Sequence, residues 1–476
     1  MSFFDLPRTP GIHCRLLRGC RLQQSGDGTS FAVRQPDGRM VLFLPWEKAY
    51  AAVLDRLSKG AHAAALRDLA LEAGGPDRAT AFLMVLRRLA AAGLVEFPLL
   101  DEAGERAVLL PQWAAFVPSL AAEPAPEIGL DRFACIRRDD RSWLLESPLA
   151  GARLSFSELA ALETSIVRRA LAATGFLERA EADPRRREAL EQWEFHDLAA
   201  YRHHRRGWHR DPMGATFDHR ETIDPPPPTR PPWPGERTAL PPANAARASG
   251  SLADVLERRA SLRTYDADRP ITLGDIGALF DRAARIRGNL ATPAGPAGER
   301  GDFEVAVKRP YPTGGARGEL EIYVAVDRAA DIEPGLYHYD AAGHALVRIT
   351  GRTPAVSSLL AEARTSAGGI PETQALVIVT ARFARVMWKY RSIAYALILR
   401  DTGVLYQTLY LAATDLGLAP CALGAGDATL FAEATGLDPL IEGSVGEFLL
   451  GGRPARRSAA ARAVAGTGTI AGREPA

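Results

Sequence analysis

A chain of 476 residues, 47% of them apolar, is too long for one ordinary core and can bury two to four domains unaided. Its formal net charge of +1 leaves no global field with which to grip nucleic acid or an anionic membrane. The four cysteines (Cys14, Cys20, Cys135, Cys421) have neither CxxC spacing nor matched histidines, so free thiols are expected rather than a disulfide framework or a zinc centre.

The opening stretch MSFFDLPRTPGIHCRLLRG lacks the apolar core of a secretory signal, and no window has the unbroken apolar length of a membrane span; a cytoplasmic protein is expected. Short strands follow in CRLLRGCRLQQ, TSFAVRQ and RMVLFLP, broken by SGDG and PDG turns. Helical patterns come next in EKAYAAVLDRLSKG, AHAAALRDLALEAGG and DRATAFLMVLRRLAAAG, each closed by glycine, and GLVEF ends the set as a strand. A second set runs through the hairpin DRFACIRRDDRSWLLESP and the helical stretches 157–180 and 188–206. Small strands with helices, twice over, predict two winged-helix-like α+β domains, 1–100 and 101–215. DNA binding is disfavoured because residues 1–215 carry 29 Lys/Arg against 28 Asp/Glu. Capture of an extended peptide along a sheet edge competes with a purely structural role.

The run DPPPPTRPPWPGERTALPPANAARASG is too rich in proline for helix or central strand, so residues 216–250 are expected to be an extended linker. From 251 to 476 the pattern is α/β. SLADVLERRASLRTY and ITLGDIGALFDRAARI read as helices, and ELEIYVAVDR as an alternating strand. GLYHYDAAGHALVRI reads as a hairpin, and QALVIVTARF as a strand buried on both faces. A long apolar helix is expected over 391–418, with GEFLLGG as a closing strand.

Five motifs in this part carry chemistry. ERRASLRTY offers guanidinium groups and a hydroxyl (Arg259, Ser261, Arg263) in one turn, a geometry that suits phosphate, although a chain so rich in arginine makes such clusters on ordinary solvated faces too. RPYPTGGARG is a loop poor in side chains (Pro312, Thr313, Gly314, Gly315) leading into a strand, where backbone can approach a flat ligand. It is not a GxGxxG following a strand, which disfavours a Rossmann dinucleotide site. Leu423 and Gly424 lie in a small-residue loop after the long helix, and Arg453 follows the last strand. MWKYRSIAY sets Lys389 and Tyr390 together in a chain with four lysines among 58 basic residues. The histidines His196, His203, His204 and His209 lack carboxylate or cysteine company and ordered spacing, so no metal site is expected.

Together, ERRASLR, RPYPTGGARGELEIYVAV, PGLYHYD, WKYRSIAY, RDTGVLYQTLYLAATDLGLAPCALGAGD and GGR resemble the SagB-type dehydrogenases of the nitroreductase-like flavin superfamily, over roughly residues 250–455. That group includes the azoline oxidases that convert peptide thiazolines and oxazolines to thiazoles and oxazoles. The N-terminal half resembles the peptide-recognition domains of cyanobactin-type oxidases more loosely. At 193–207, where family members tend to carry Phe-His-x-Arg-Ser-Arg, this chain has Tyr201, Arg202, His203, His204, Arg205 and Arg206 instead.

The resemblance implies FMN as cofactor. It places the phosphate on Arg259, Ser261 and Arg263 with Arg453 near, and the ring against Pro312, Thr313, Gly314 and Gly315 on one side and Leu423 and Gly424 on the other, with Gln407 nearby. It implies a homodimer with the flavin at its interface, an azoline-containing precursor peptide as substrate, and a cyclodehydratase as potential partner. It assigns Lys389 and Tyr390 to proton abstraction. Neither is a good base alone, free lysine titrating at ~10.4 and free tyrosine at ~10. An adjacent ammonium eases formation of tyrosinate and burial depresses lysine, whereas arginine does not give up its proton. The rivals are an FMN enzyme of the same fold acting on another peptide or a small molecule, and a non-catalytic peptide-binding dimer.

Overall fold

The computed structural model describes residues 12–24, 30–35, 40–43, 50–113, 116, 118–139, 142–178, 183–242, 250–290 and 306–454. The expected SGDG and PDG turns lie outside these residues, as does most of the N-terminal stretch. The chain forms two compact units, Met1–Pro212 and Met213–Ala476. Among the described residues no helix is long and apolar enough to cross a membrane.

In the first unit the strands Arg21–Gln24, Phe31–Arg34 and Met40–Phe43 form a small antiparallel sheet. Helix Tyr50–Lys59 precedes a helical stretch, Ala63–Ala91, that breaks at Gly74 and Gly75, where Gly75 takes φ +77° ahead of Pro76. Left-handed backbone suits glycine, and proline cannot continue a helix, so the break falls at GGP.

Where two separate modules were expected, one antiparallel sheet runs through both. Its order is Ala61–His62, His13–Leu16, Val95–Asp101, Gly104–Pro111, Ala152–Phe156, Ser142–Glu146, Cys135–Asp139. The join is the hairpin of Val95–Asp101 with Gly104–Pro111; the second of these strands has no counterpart in the sequence reading. The strand Gly104–Pro111 pairs onward with Ala152–Phe156, so Phe97, Leu109, Leu154, Phe82 and Phe176 share one core at zero exposure. The terminal helical stretch of this unit divides into Pro184–Gln192 and Phe195–His203.

The second unit is a sheet covered on both faces. Its antiparallel order is Arg237–Ala239, Ala345–Gly351, Gly335–Asp340, Leu320–Val326, Ala375–Arg382, Glu442–Gly452, Leu418–Ala422. Ile322, Val324 and Val326 meet helix Leu273–Ala283 and the long helix Ala394–Asp415 on one side. Tyr323, Ala325 and Leu336 meet helices Pro354–Ser366 and Ala428–Thr435 on the other. The alternation in ELEIYVAVDR therefore does not mark a half-exposed strand, since every residue of Leu320–Val326 is buried. Glu321 tolerates this because Arg382 Nε lies 3.1 Å and His338 Nε2 3.3 Å away. Burial raises its pKa, but His338, Arg382 and Arg309 outweigh burial and hold it below the usual range.

Residues 216–250 were expected to be a linker, and here the structure differs. The described residues 216–242 turn at 217–223 and then run on without helix, but lie strapped to the rest of the second unit. Trp388 Nε1 donates to the Ile223 carbonyl at 2.7 Å, and Arg385 Nη1 to that of Pro226 at 2.7 Å. Arg382 donates to the carbonyls of Pro227 and Pro228 at 2.9 and 2.8 Å, Arg230 pairs with Glu442 at 3.0 Å, and Arg237–Ala239 closes the sheet edge. Proline cannot donate to a ladder but its carbonyl still accepts, and guanidinium forks supply the donors.

Where this unit's strand Leu320–Val326 begins, Glu319 is fully buried, and burial followed by the neighbouring Asp401 carboxylate pushes it up to about 8. Between its ordinary 4.5 and that value the folded chain holds a proton that the unfolded chain releases. The contribution is therefore complete below the unfolded value and is lost as pH rises through the folded one. Glu319→Gln keeps the neutral form at every pH, so its urea midpoint is expected to fall less than that of the unsubstituted protein between about pH 6 and 9. Parallel curves would show that Glu319 is already ionised near neutrality.

Candidate active site

The loop of Pro312, Thr313, Gly314 and Gly315 is closed on itself and pinned from behind. Gly318 N donates to Thr313 Oγ1 at 3.1 Å, and Gly314 N donates to Asp401 Oδ2 at 2.7 Å. Asp401, buried in the long helix, was absent from the sequence candidates. Gly315 has φ +63°, and a Cβ there would lie 2.3 Å from Tyr390 Oη and 3.5 Å from Lys389 Nζ. The structure thus brings Lys389 and Tyr390 directly over the glycine loop, and glycine is required there for both conformation and space.

A short helix, Ala384–Met387, delivers that pair. It is locked by an exchange between two buried arginines: Arg317 Nε donates to the Arg385 carbonyl at 2.8 Å, and Arg385 Nε to the Arg317 carbonyl at 3.0 Å. Burial lowers Arg385 to about 9. Beyond it, Tyr390–Arg391 pairs with Gly214–Ala215, and Phe217 N donates to the Lys389 carbonyl at 3.2 Å. Lys389 Nζ lies 5.3 Å from the Phe217 ring centroid and 5.6 Å from that of Tyr390. The Phe217 ring in turn packs edge-on against buried Trp388, with centroids 5.8 Å apart. An ammonium over aromatic faces is stabilised while being shielded from water. Phe217 was missed because its segment read as linker.

The second group of candidates gathers at the far end of the long helix. Ser261 Oγ and Tyr410 Oη are hydrogen-bonded at 2.7 Å, Ala422 N donates to Tyr410 Oη at 2.7 Å, and the Arg259 guanidinium lies 5.4 Å from the Tyr410 ring centroid. Leu262 N donates to the Pro420 carbonyl at 2.8 Å, anchoring the turn that carries Arg263. Asp266 N donates to the Gly452 carbonyl at 3.0 Å, which brings Arg453 beside the same turn. Among the described residues neither Arg259 nor Arg263 has an acidic partner. Gln407 is exposed one turn before Tyr410. The loop of Leu423 and Gly424 follows strand Leu418–Ala422 rather than the helix, and the Leu423 side chain packs into the opposite core with Phe431, leaving Gly424 at the surface. From Asp401 to Tyr410 the helix rises roughly 14 Å, so one rigid element carries both the glycine loop's anchor and the arginine cluster's.

The profile of the Nitroreductase family matches residues 256–451. Over 174 residues the chain is 31% identical to a protein of Methanocaldococcus jannaschii named "Putative nitroreductase", covering 37% of this chain and 78% of that one. Over 152 residues it is 32% identical to the trifolitoxin-processing protein TfxB of Rhizobium leguminosarum bv. trifolii, covering 30% of this chain but only 39% of TfxB. Among solved structures, the E. coli microcin synthetase McbBCD complex with truncated pro-MccB17 bound aligns at 18% identity and TM-score 0.32, covering 60% of this chain and 86% of that one. Nitroreductase family members bind FMN. The residues fit such a group: two guanidinium groups without acidic partners stand with a hydroxyl in one turn, and the glycine loop has no side chain to obstruct a flat ring. The chain belongs to the nitroreductase family of FMN-binding oxidoreductases.

Proposed function

We propose that this protein oxidises azoline rings, thiazoline or oxazoline, to azoles in a ribosomally made precursor peptide. The observation that carries the proposal is the position of Lys389 Nζ and Tyr390 Oη over Gly315, at the mouth of a loop suited to a flavin ring. Similarity to TfxB, named for processing trifolitoxin, supports a peptide substrate over a free small molecule.

Forming an azole removes a proton from the ring carbon next to the peptide carbonyl and a hydride equivalent from the neighbouring ring carbon. Bound FMN supplies the two-electron acceptor for this chemistry. Arg259, Ser261 and Arg263, with Arg453 close by, would hold its phosphate. Pro312, Thr313, Gly314 and Gly315 would line its ring on one side with Gln407, and Leu423 and Gly424 would approach through their backbone. Lys389 and Tyr390 would then receive the ring proton, an ammonium beside the phenol favouring its ionised form. Phe217 lies beside the Lys389 ammonium with Trp388 packed behind it, and Asp401 anchors the glycine loop.

The first unit would hold the peptide by adding it as a strand to the edge at Cys135–Asp139, whose residues are mostly exposed. Exposed Tyr395, Leu399 and Val404 on the long helix, with Leu252 and Leu256, form the apolar surface on which a second copy would pack. A cyclodehydratase acting earlier on the same peptide would supply the azoline.

Three results are expected. FMN-loaded protein given an azoline peptide should remove two hydrogens per ring, read by mass spectrometry; unchanged mass with full flavin loading would sink the assignment. Lys389→Ala and Tyr390→Phe should keep FMN yet slow turnover by about 10²–10⁴-fold, the usual contribution of a positioned proton acceptor. Lys389→Arg restores charge but not proton acceptance, so its failure to rescue would identify the lysine as the base. Arg259→Ala or Arg263→Ala should weaken flavin retention by roughly 10–100-fold, the loss of one charged hydrogen bond, and yield bleached protein.

A further inference from the structure

The helix Phe195–His203 ends in a turn that brings His203, His209 and Asp211 together, with one candidate ligand atom from each within 4.8 Å of the others. The sequence reading discounted these histidines for want of a carboxylate. Asp211, two residues past His209, is that carboxylate. The His209 side chain is 6% exposed, and its Nε2 lies 2.7 Å from the His203 carbonyl oxygen. A carbonyl only accepts, so Nε2 carries the proton and Nδ1 presents a lone pair. That Nδ1 is buried without a hydrogen-bond partner and faces Asp211 Oδ2 at 3.9 Å. Two electron-rich atoms thus confront one another across a gap too wide for a hydrogen bond. Zinc bonds to imidazole nitrogen and carboxylate oxygen run near ~2.0–2.2 Å each, so the gap admits an ion between them.

The surroundings are those of ligands held in place. Arg153 forks both Asp211 oxygens at 2.8 and 2.7 Å, turning the carboxylate so that a remaining lone pair faces His209. The charge of Arg153 is shared with Glu146, 2.9 Å from its Nε, which lessens its repulsion of an incoming cation. The donation from His209 Nε2 to a backbone carbonyl is the outer contact that fixes a metal-binding imidazole's tautomer. The His203 ring stacks on that of His209 with centroids 4.9 Å apart, and the group opens on a cavity of about 330 Å³ bordered by Phe195, Ala199 and Trp208.

We propose that His203, His209 and Asp211 bind a divalent first-row transition ion, with zinc the best match to two imidazoles and one carboxylate, and a fourth position open to the cavity. The ion ties the end of helix Phe195–His203 to Asp211, and through Arg153 to strand Ala152–Phe156. Two imidazoles and one carboxylate also suit ferrous iron.

The test uses the full-length protein stripped with chelator and titrated calorimetrically with zinc chloride, and in parallel with cobalt chloride read by its visible absorption. One equivalent should bind and raise Tm. His203→Gln, at an exposed position that leaves the fold intact, should weaken binding by more than the roughly 10–100-fold typical for loss of an outer contact, and His209→Gln likewise. Neither substitution should alter FMN content. Absence of one-equivalent binding by the unsubstituted protein, or equal affinity and equal Tm gain in His203→Gln, would overturn the site. Binding of ferrous iron but not zinc under anaerobic titration would overturn the choice of zinc and leave the ligand set.

Discussion

The second unit turns on the exchange between Arg317 and Arg385, each donating its Nε to the other's backbone carbonyl from a nearly sealed position. Burying two guanidinium groups side by side is unfavourable twice over, through lost hydration and through mutual repulsion, and the depressed pKa of Arg385 records both. What holds them is a set of backbone carbonyl acceptors. Arg317 belongs to the segment after the glycine loop, Arg385 to the helix before Lys389, and Arg385 also reaches the Pro226 carbonyl of the strap. Three pieces of chain far apart in sequence are thereby fixed by one polar knot. Guanidinium suits that role and ammonium does not, because several planar donors can serve different carbonyls at once.

Carboxylates finish the same core in two different ways. Glu321 and Glu442 are matched to cations, with Arg382 and Arg230 respectively, and Tyr323 Oη also donates to Glu442 at 2.5 Å. Glu319 and Asp401 are instead acids beside one another, a pairing that favours a proton on Glu319 and leaves Asp401 free to accept from Gly314 N. The loop is thus anchored by a carboxyl group whose neighbour is held toward its protonated form. A cation at Glu319's place would compete for that carboxylate and release the glycine.

Much of this was legible in sequence wherever the signal was local. Ser251 with Asp254 and Thr272 with Asp275 form capping boxes that start the helices at Leu252 and Leu273, and the glycine loop stands in front of its strand as read. What escaped depends on partners supplied from far away. The period-two pattern of ELEIYVAVDR is correct in phase yet wrong about exposure, because the polar face meets Arg382 and His338 rather than water. Proline density rightly excluded helix from the described residues 216–242, but nothing local shows that three distant residues, Arg382, Arg385 and Trp388, will donate to their carbonyls. Asp401 offered the one usable hint, a lone acid inside an apolar helix that had to find a donor. The fusion of two expected modules into one sheet was hidden for the same reason: Gly104–Pro111 shows its second edge only when Ala152–Phe156 arrives.

The strap also bears on why lysine and tyrosine should act as a pair. Phe217 reaches Lys389 because the short strand just before the strap, Gly214–Ala215, is paired to Tyr390–Arg391, which ties the aromatic wall to the two ionisable groups. Ser392 follows with φ +65°, a left-handed turn in a residue with a side chain, which sends the chain away into the long helix and leaves Tyr390 Oη over Gly315. On the proposed function, an ammonium held here would ease ionisation of the adjacent phenol, and a phenolate would favour the ammonium in return, so that the pair rather than the lysine alone would set where the substrate proton goes.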